Sequence, residues 1–458
     1  MSHAVTEPWS GKHIADVDLF SDARAKEAIS ASVVAFEKMR ALSSYARKEI
    51  LRRITRGIEA RHEELANLIA REAGKPIALA RVEVTRAIST FEIAAEEATR
   101  ITGEVLPLDI TKGSEGFRGE WSRFPRGPVL GISPFNFPLN LVAHKVAPAL
   151  ACGCSLVLKP APQAPLTSLL LETIVRESGA PENALQVVPC DVDVAEMMVR
   201  DDRFAALSFT GSAKVGWHLK AISGKKQVIL ELGGNAAAIV HDDANLSFAA
   251  DRITAAAFGY AGQVCIKVQR AYLHTPIAEA FTAELVERAR ALTPTDPLDP
   301  KAVLSSMIDE GNAKRVESWI AEAKQRGARV LVGGKRDGAK LEATILQIKG
   351  DGRGLKVVDE EAFGPVLTLH TYDSWDEALT LANASRYGLQ AGIFTDSHER
   401  IRQAFSRLSV GGLIVGDAPS FRVDSMPYGG TRDSGIGREG VRFAIEEMTE
   451  RKLLVYRF

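Results

Sequence analysis

Four short segments carry residues able to do carbonyl chemistry. Cys265 lies in PheGlyTyrAlaGlyGlnValCysIleLysValGlnArg, just past Gly262 and Gln263. A thiolate there can attack a carbonyl carbon, given a lowered pKa or a nearby base, though the same pattern also reads as a buried thiol. Glu231 opens GluLeuGlyGlyAsn (231–235) at the end of a strand-like run. A carboxylate so placed serves as a general base for water, or else as a solvated cap. Asn136, in SerProPheAsnPheProLeuAsnLeu (133–141), follows a short strand and precedes a helix. Its amide can donate to an oxyanion, or close a turn. PheThrGlySerAlaLysValGly (209–216) leads a strand through a glycine turn into a helix. Such a turn offers backbone N–H groups and a positive helix end to a pyrophosphate, although its G-x-x-x-x-G spacing is not G-x-G-x-x-G.

These segments need a scaffold, and the periodicity supplies one. The first hundred residues read as helical: apolar residues recur at spacings of three and four over 22–72, Gly74 and Pro76 punctuate, and a second stretch covers 77–101. From residue 117 the period changes to two. Strand-like runs at 128–133, 155–159, 183–188, 206–209 and 227–232 then alternate with helical stretches at 139–151, 165–178, 192–200 and 214–222. That alternation predicts right-handed βαβ units and a parallel sheet, an α/β fold. A second α/β series after residue 240 has strand candidates at 268–274, 329–332, 365–371, 390–394 and 412–415. The tail LysLeuLeuValTyrArgPhe is too apolar to hang free and is expected to pair with another element, on this subunit or a second one.

Composition narrows the function. The 458 residues predict two or three domains, and 46% hydrophobic with 25% charged residues is ordinary for a globular cytoplasmic protein. With 57 basic and 58 acidic residues there is no basic excess for nucleic acid or a membrane surface. Neither a signal-peptide pattern nor an apolar run of membrane-spanning length is present. Four cysteines are too few for a disulfide framework, so a reducing compartment is expected. Cys152 and Cys154 form C-G-C rather than a C-x-x-C motif, and with Cys190 they read as buried thiols; no metal is expected.

Together, in this order, the segments resemble the aldehyde dehydrogenase superfamily from about residue 20 onward. PheAsnPhePro resembles its oxyanion motif, LeuLysPro (158–160) its ribose-holding lysine, Lys159, and GlyGlnValCys its nucleophile loop. GluGluAlaPheGlyPro (360–365) is similar to the segment whose second glutamate, Glu361, holds the nicotinamide ribose beside Phe363, and ProTyrGlyGlyThrArgAspSerGlyIleGlyArgGluGly (427–440) to the late signature. The resemblance implies a Rossmann-type NAD(P)-binding domain (1–103 and 127–233), an α/β catalytic domain (234–433) and a small β oligomerisation element (104–126 and 440–458). It further implies catalysis by Cys265, Glu231 and Asn136, with a thioester on Cys265. Ser133, Pro134, Phe135, Lys159, Gly211, Ser212, Gly216, Leu232, Glu361 and Phe363 would bind NAD or NADP. A homodimer or homotetramer is expected. Glu231 favours hydrolysis over transfer to coenzyme A, since acylating relatives usually lack it. A non-catalytic protein retaining the fold would be expected to have lost Cys265, Asn136 or Glu231.

The departures bear on specificity. Phe135 stands where relatives often have tryptophan. Pro162 replaces a glutamate common in NAD-preferring relatives, which removes an acceptor for the ribose hydroxyls and permits NADP. The resemblance places Leu141, His144, Val264, Ile266, Arg422, Tyr428 and Arg86 at the substrate pocket. An arginine at 422, where relatives acting on apolar aldehydes often have an aromatic, implies a polar or anionic aldehyde, unless Arg422 and Arg86 make structural ion pairs. Gly259 falls where succinic semialdehyde enzymes tend to carry arginine. The late loop looks most like the lactaldehyde, glyceraldehyde and phosphonoacetaldehyde branch.

Overall fold

The computed structural model describes residues 2–458. The chain opens with an antiparallel hairpin, β1 (Ser2–Thr6) and β2 (His13–Asp18), which corrects the all-helical expectation for the first hundred residues. Four helices follow: α1 (Asp22–Arg40), α2 (Ser44–Ala60), α3 (His62–Ala73) and α4 (Ile77–Glu97). Ser21 and Ser43 cap α1 and α2 by accepting backbone N–H groups, and Gly74 ends α3 at φ +66°, a left-handed conformation suited to glycine.

Next come β3 (Glu104–Pro107) and β4 (Phe117–Pro125), then the first α/β series. It runs β5 (Val129–Ile132), α5 (Asn140–Cys152), β6 (Leu156–Lys159), α6 (Leu166–Glu177), β7 (Leu185–Val187), α7 (Val192–Arg200), β8 (Ala206–Thr210), α8 (Ala213–Ile222) and β9 (Gln227–Glu231). These five strands are parallel in the order β9-β8-β5-β6-β7. Winding proceeds from β5 toward β7, then reverses through β8 on the other side. A crevice therefore opens beyond the carboxyl ends of β5 and β8, where open sheets of this kind bind ligands. Every residue of α5 is buried, because this helix is enclosed by sheet and neighbouring helices.

The second series begins earlier than expected, with β10 (Ala236–Val240), and continues through α9 (Leu246–Phe258), β11 (Val268–His274), α10 (Thr275–Arg290), α11 (Glu310–Gln325) and β12 (Arg329–Val332). A small hairpin, β13 (Arg336–Asp337) and β14 (Lys340–Leu341), precedes β15 (Thr344–Gln347), α12 (Lys356–Asp359), β16 (Val366–Tyr372) and α13 (Trp375–Asn383). Then come β17 (Tyr387–Gly388), β18 (Gln390–Phe394), α14 (His398–Arg407) and β19 (Gly412–Val415). The resulting seven-stranded sheet has the order β12-β15-β16-β11-β10-β18-β19 and is parallel except for β12.

After it, β20 (Thr431–Arg432) pairs with β17, and β21 (Gly435–Ile436) adds antiparallel to β9, tying the late loop to the first sheet at Glu231. Helix α15 (Val441–Met448) leads into β22 (Thr449–Arg457), which pairs along its whole length with β4 of its own chain. Leu453, Leu454, Val455 and Tyr456 on that strand nevertheless stay exposed. Among the described residues no helix is long and apolar enough to cross a membrane.

Candidate active site

The loop that carries Cys265 is built under backbone constraint. Between α9 and β11, Tyr260 and Ala261 adopt φ of 53° and 51°, and Gly262 follows at +65°. Two consecutive non-glycine residues in the left-handed region are costly, and they persist because the surroundings fix them. The Tyr260 hydroxyl donates to Ala73 O at 2.9 Å, and a Cβ on Gly262 would lie 2.3 Å from Gly364 O. Three residues beyond this turn, Cys265 is held partly buried.

Asn136 comes from the loop between β5 and α5. Its Nδ2 donates to Gln263 O at 2.9 Å, which locks the loop to the nucleophile segment. An amide nitrogen has two hydrogens, so one remains for a substrate oxygen. Buried Glu83 of α4 accepts the backbone N–H groups of Leu139 and Asn140 through Oε1, and its Oε2 pairs with buried Lys75. The Lys75 ammonium sits 3.5 Å from the Phe137 ring and 4.7 Å from the Tyr260 ring, bridging the asparagine loop and the nucleophile turn.

Glu231 ends β9, 3% exposed, with neither carboxylate oxygen hydrogen-bonded. Burial, and then the charge of Glu439, push its carboxyl well above the usual carboxylate range. Glu439 itself behaves oppositely. Burial raises it, but Lys145 at 3.1 Å and Arg422 at 3.1 Å outweigh that and hold it at about 2. Burial likewise pushes the Cys265 thiol up, to about 11, against a lowering hydrogen bond with the Tyr428 hydroxyl at 3.0 Å.

A cavity of about 660 Å³ joins these groups. Asn136, Leu141, Glu231, Cys265 and Tyr428 line one end; Gly211, Ser212, Leu232, Glu361 and Phe363 line the rest, with Pro134 and Phe135. Ser212 caps α8. Gly216 lets that helix close on β9, since a Cβ there would stand 2.3 Å from Leu232 Cδ2. The rings of Phe135 and Phe363 meet edge-on at 5.9 Å. Glu361 accepts Gly234 N–H at 3.0 Å, and burial raises its carboxyl to about 7. Lys159 ends β6 beside Ser133, whose N–H donates to its carbonyl at 3.2 Å; both flank the crevice rather than line the cavity.

Several expected pocket residues lie elsewhere. His144 does not reach the cavity: its side chain is fully buried and its Nε2 meets Asp424 Oδ1 at 2.8 Å. Arg86 grips the same Asp424 at 2.7 Å. Ile266 packs with Leu389 and Tyr428, and Val264 against that group and the cluster of Ala73, Ala164 and Tyr260. Arg422 is pulled onto Glu439 and stacks 3.7 Å over the Tyr428 ring, with its Nε unpartnered. Sequence reasoning missed Lys145, Asp424 and Glu439 as members of this network, although Glu439 lies within the late signature. It also missed Asn312, Arg315 and Trp319 of α11, which line the cavity mouth.

With this geometry in hand, comparison with known proteins is direct. Residues 1–454 match the aldehyde dehydrogenase family. The chain is 44% identical over 414 residues to 3-sulfolactaldehyde dehydrogenase of Priestia aryabhattai, covering 90% of this chain and 86% of that one. Aldehyde dehydrogenase 21 from Physcomitrella patens, in complex with the reaction product succinate, superposes with a TM-score of 0.97 at 42% identity over 100% of this chain and 95% of that one. Glyceraldehyde-3-phosphate dehydrogenase from Methanocaldococcus jannaschii, complexed with NADP, gives 0.95 at 36% identity over 100% and 99%. The chain belongs to the aldehyde dehydrogenase family, and its chemistry is the oxidation of an aldehyde.

Proposed function

We propose that this enzyme oxidises a small anionic aldehyde to its carboxylic acid through a thioester on Cys265, with NADP or NAD as oxidant. The observation that carries the reading is the single cavity in which Cys265, Asn136 and Glu231 meet, continuous with the Gly211–Ser212 turn and Glu361. The cradle fits a dinucleotide: a helix N-terminus capped by Ser212, close helix–strand approach at Gly216, and a half-buried carboxylate at Glu361 for ribose hydroxyls. Bound there, the nicotinamide supplies the acceptor for the hydride that leaves the substrate carbon.

The chain's residues do the rest. Cys265 Sγ, its proton released to solvent water, adds to the carbonyl carbon, and the Tyr428 hydroxyl steadies the sulfur. Asn136 Nδ2 and the Cys265 backbone N–H hold the oxygen that becomes negative. Once the acyl group rests on Cys265, Glu231 takes a proton from water, whose oxygen attacks the thioester and frees the acid and the thiol. A carboxyl raised by burial is, once ionised, a stronger base toward that water than an ordinary carboxylate.

An anionic substrate is supported by the sulfolactaldehyde, glyceraldehyde 3-phosphate and succinate named for the three relatives, whereas Arg86 and Arg422 are held in ion pairs with Asp424 and Glu439 and do not line the cavity. Pro162 in place of an acidic residue suits the extra phosphate of NADP. The division into cofactor, catalytic and oligomerisation parts belongs to the same reading. So does a homodimer or homotetramer built on the exposed apolar residues of β22, in a cytoplasmic setting that keeps all four cysteines free.

The test is reduced-nicotinamide formation with each cofactor against anionic, neutral polar and apolar aldehydes of similar length, without coenzyme A. Turnover highest with the anionic members is expected; preference for apolar ones overturns the substrate assignment, and a strict need for coenzyme A overturns hydrolysis.

A further inference from the structure

At the far end of the seven-stranded sheet, His241 and Asp242 follow β10 and His274 closes β11. Cys265 precedes β11 and His274 ends it, so the seven-residue strand separates them by about 20 Å at ~3.3 Å per residue. One nitrogen from each imidazole and one Asp242 carboxylate oxygen lie within 4.8 Å of one another.

The hydrogen bonding of this group does not close. His241 Nδ1 stands 2.8 Å from the Asp242 N–H and 2.5 Å from Asp242 Oδ1. A ring nitrogen either accepts or donates, so it can satisfy only one of these neighbours. As the acceptor of the N–H, it leaves Asp242 Oδ1 without a proton from this ring. His274 Nδ1 is buried, lacks a hydrogen-bond partner and lies 3.4 Å from Asp242 Oδ2. His241 Nδ1, His274 Nδ1 and the Asp242 carboxylate thus converge with their hydrogen bonding incompletely satisfied.

The surroundings also disfavour supplying the missing protons. The two rings meet at a tilt of 57° with centroids 4.1 Å apart, and two imidazolium charges would repel there. Tyr372 and Trp375 close the apolar side, with ring centroids 6.1 Å and 5.7 Å from His241. The Asp242 side chain, 44% exposed, leaves an entrance from solvent.

We propose that His241, Asp242 and His274 form a binding site for a divalent transition ion of the zinc type, remote from the active site. Neutral imidazoles with one carboxylate are a ligand set for zinc, at bond lengths of about 2.0–2.2 Å in a tetrahedron completed by water. Such a tetrahedron sets its ligand atoms ~3.3 Å apart, the separation His274 and Asp242 already have, and rotation of the exposed Asp242 carboxylate opens the required gap to His241. The ion would fasten the ends of β10 and β11. The ligands come from two strand ends with no local motif spacing, which is why sequence inspection gave no metal.

The test is zinc titration of the full chain carrying Cys265→Ala, which removes the active-site thiol as a competitor, read against a chromogenic chelator. One zinc per chain is expected, with a rise in melting temperature on binding. Asp242→Asn and His274→Ala in the same background should each weaken binding more than about tenfold, since even outer-shell partners of metal ligands are worth ~10–100-fold. Asp242→Asn is the primary variant because its side chain is exposed and its shape is kept. Its melting temperature without zinc should equal that of the parent. No bound zinc, or zinc bound equally by the parent and both variants, overturns the site.

Discussion

The Tyr428 hydroxyl stands 3.0 Å from Cys265 Sγ, the one hydrogen-bonding group on a sulfur that burial holds at about 11. Without cofactor, alkylation of Cys265 by iodoacetamide should therefore accelerate with pH toward about 11. Tyr428→Phe should move that midpoint up by roughly one pKa unit, since a hydrogen bond to a charged group is worth about 1.5 kcal/mol. An unchanged midpoint in the variant would show that the contact does not act on the thiolate.

Glu231 gives a prediction of opposite form. Its carboxyl is raised, and only the ionised form accepts a proton from water. Hydrolysis is therefore lost as pH falls through this raised pKa, and kcat should show an ascending limb well above the usual carboxylate range. Glu231→Gln should lower kcat by about 10²–10⁴-fold and abolish the limb. Persistence of the limb in the variant would assign the base elsewhere.

Arg422 links substrate choice to the buried network. Arg422→Gln removes the positive charge beside Tyr428 and leaves Glu439 one partner short. Removing one side of a buried charge pair costs about 2–5 kcal/mol. For an anionic aldehyde, kcat/KM should fall by more than about tenfold relative to a neutral aldehyde of equal length. Equal losses for both substrates would make Arg422 a structural arginine.

The buried Lys75–Glu83 pair should matter to both stability and rate. Glu83→Gln leaves Lys75 charged without its partner and weakens the cap over Leu139 and Asn140. Denaturant unfolding should show a loss of about 3–5 kcal/mol, with kcat reduced because Asn136 is less firmly held. Wild-type stability would remove the pair from the account.

Which parts of this were legible in the sequence follows from how each residue is held. The βαβ series could be read because its strands are short apolar runs bounded by turns. Strand Ala236–Val240 was hidden by three alanines, which favour no strand, and Ser2–Thr6 by its shortness and polarity. The nucleophile, the glutamate and the asparagine stand in local motifs. Their electrostatic partners do not: Lys145 meets Glu439 across 294 positions, and His144 meets Asp424 across 280. Helix α5 is buried all round, so no amphipathic stripe shows which of its faces looks toward the cavity. His144 was placed at the pocket by resemblance alone.

The thioester on Cys265 is tested most directly by mass spectrometry of Glu231→Gln, quenched after mixing with cofactor and an anionic aldehyde. The account predicts one reduced nicotinamide per active site in a burst, with the acyl mass on the peptide carrying Cys265. A full burst with no acyl group on that peptide would contradict it.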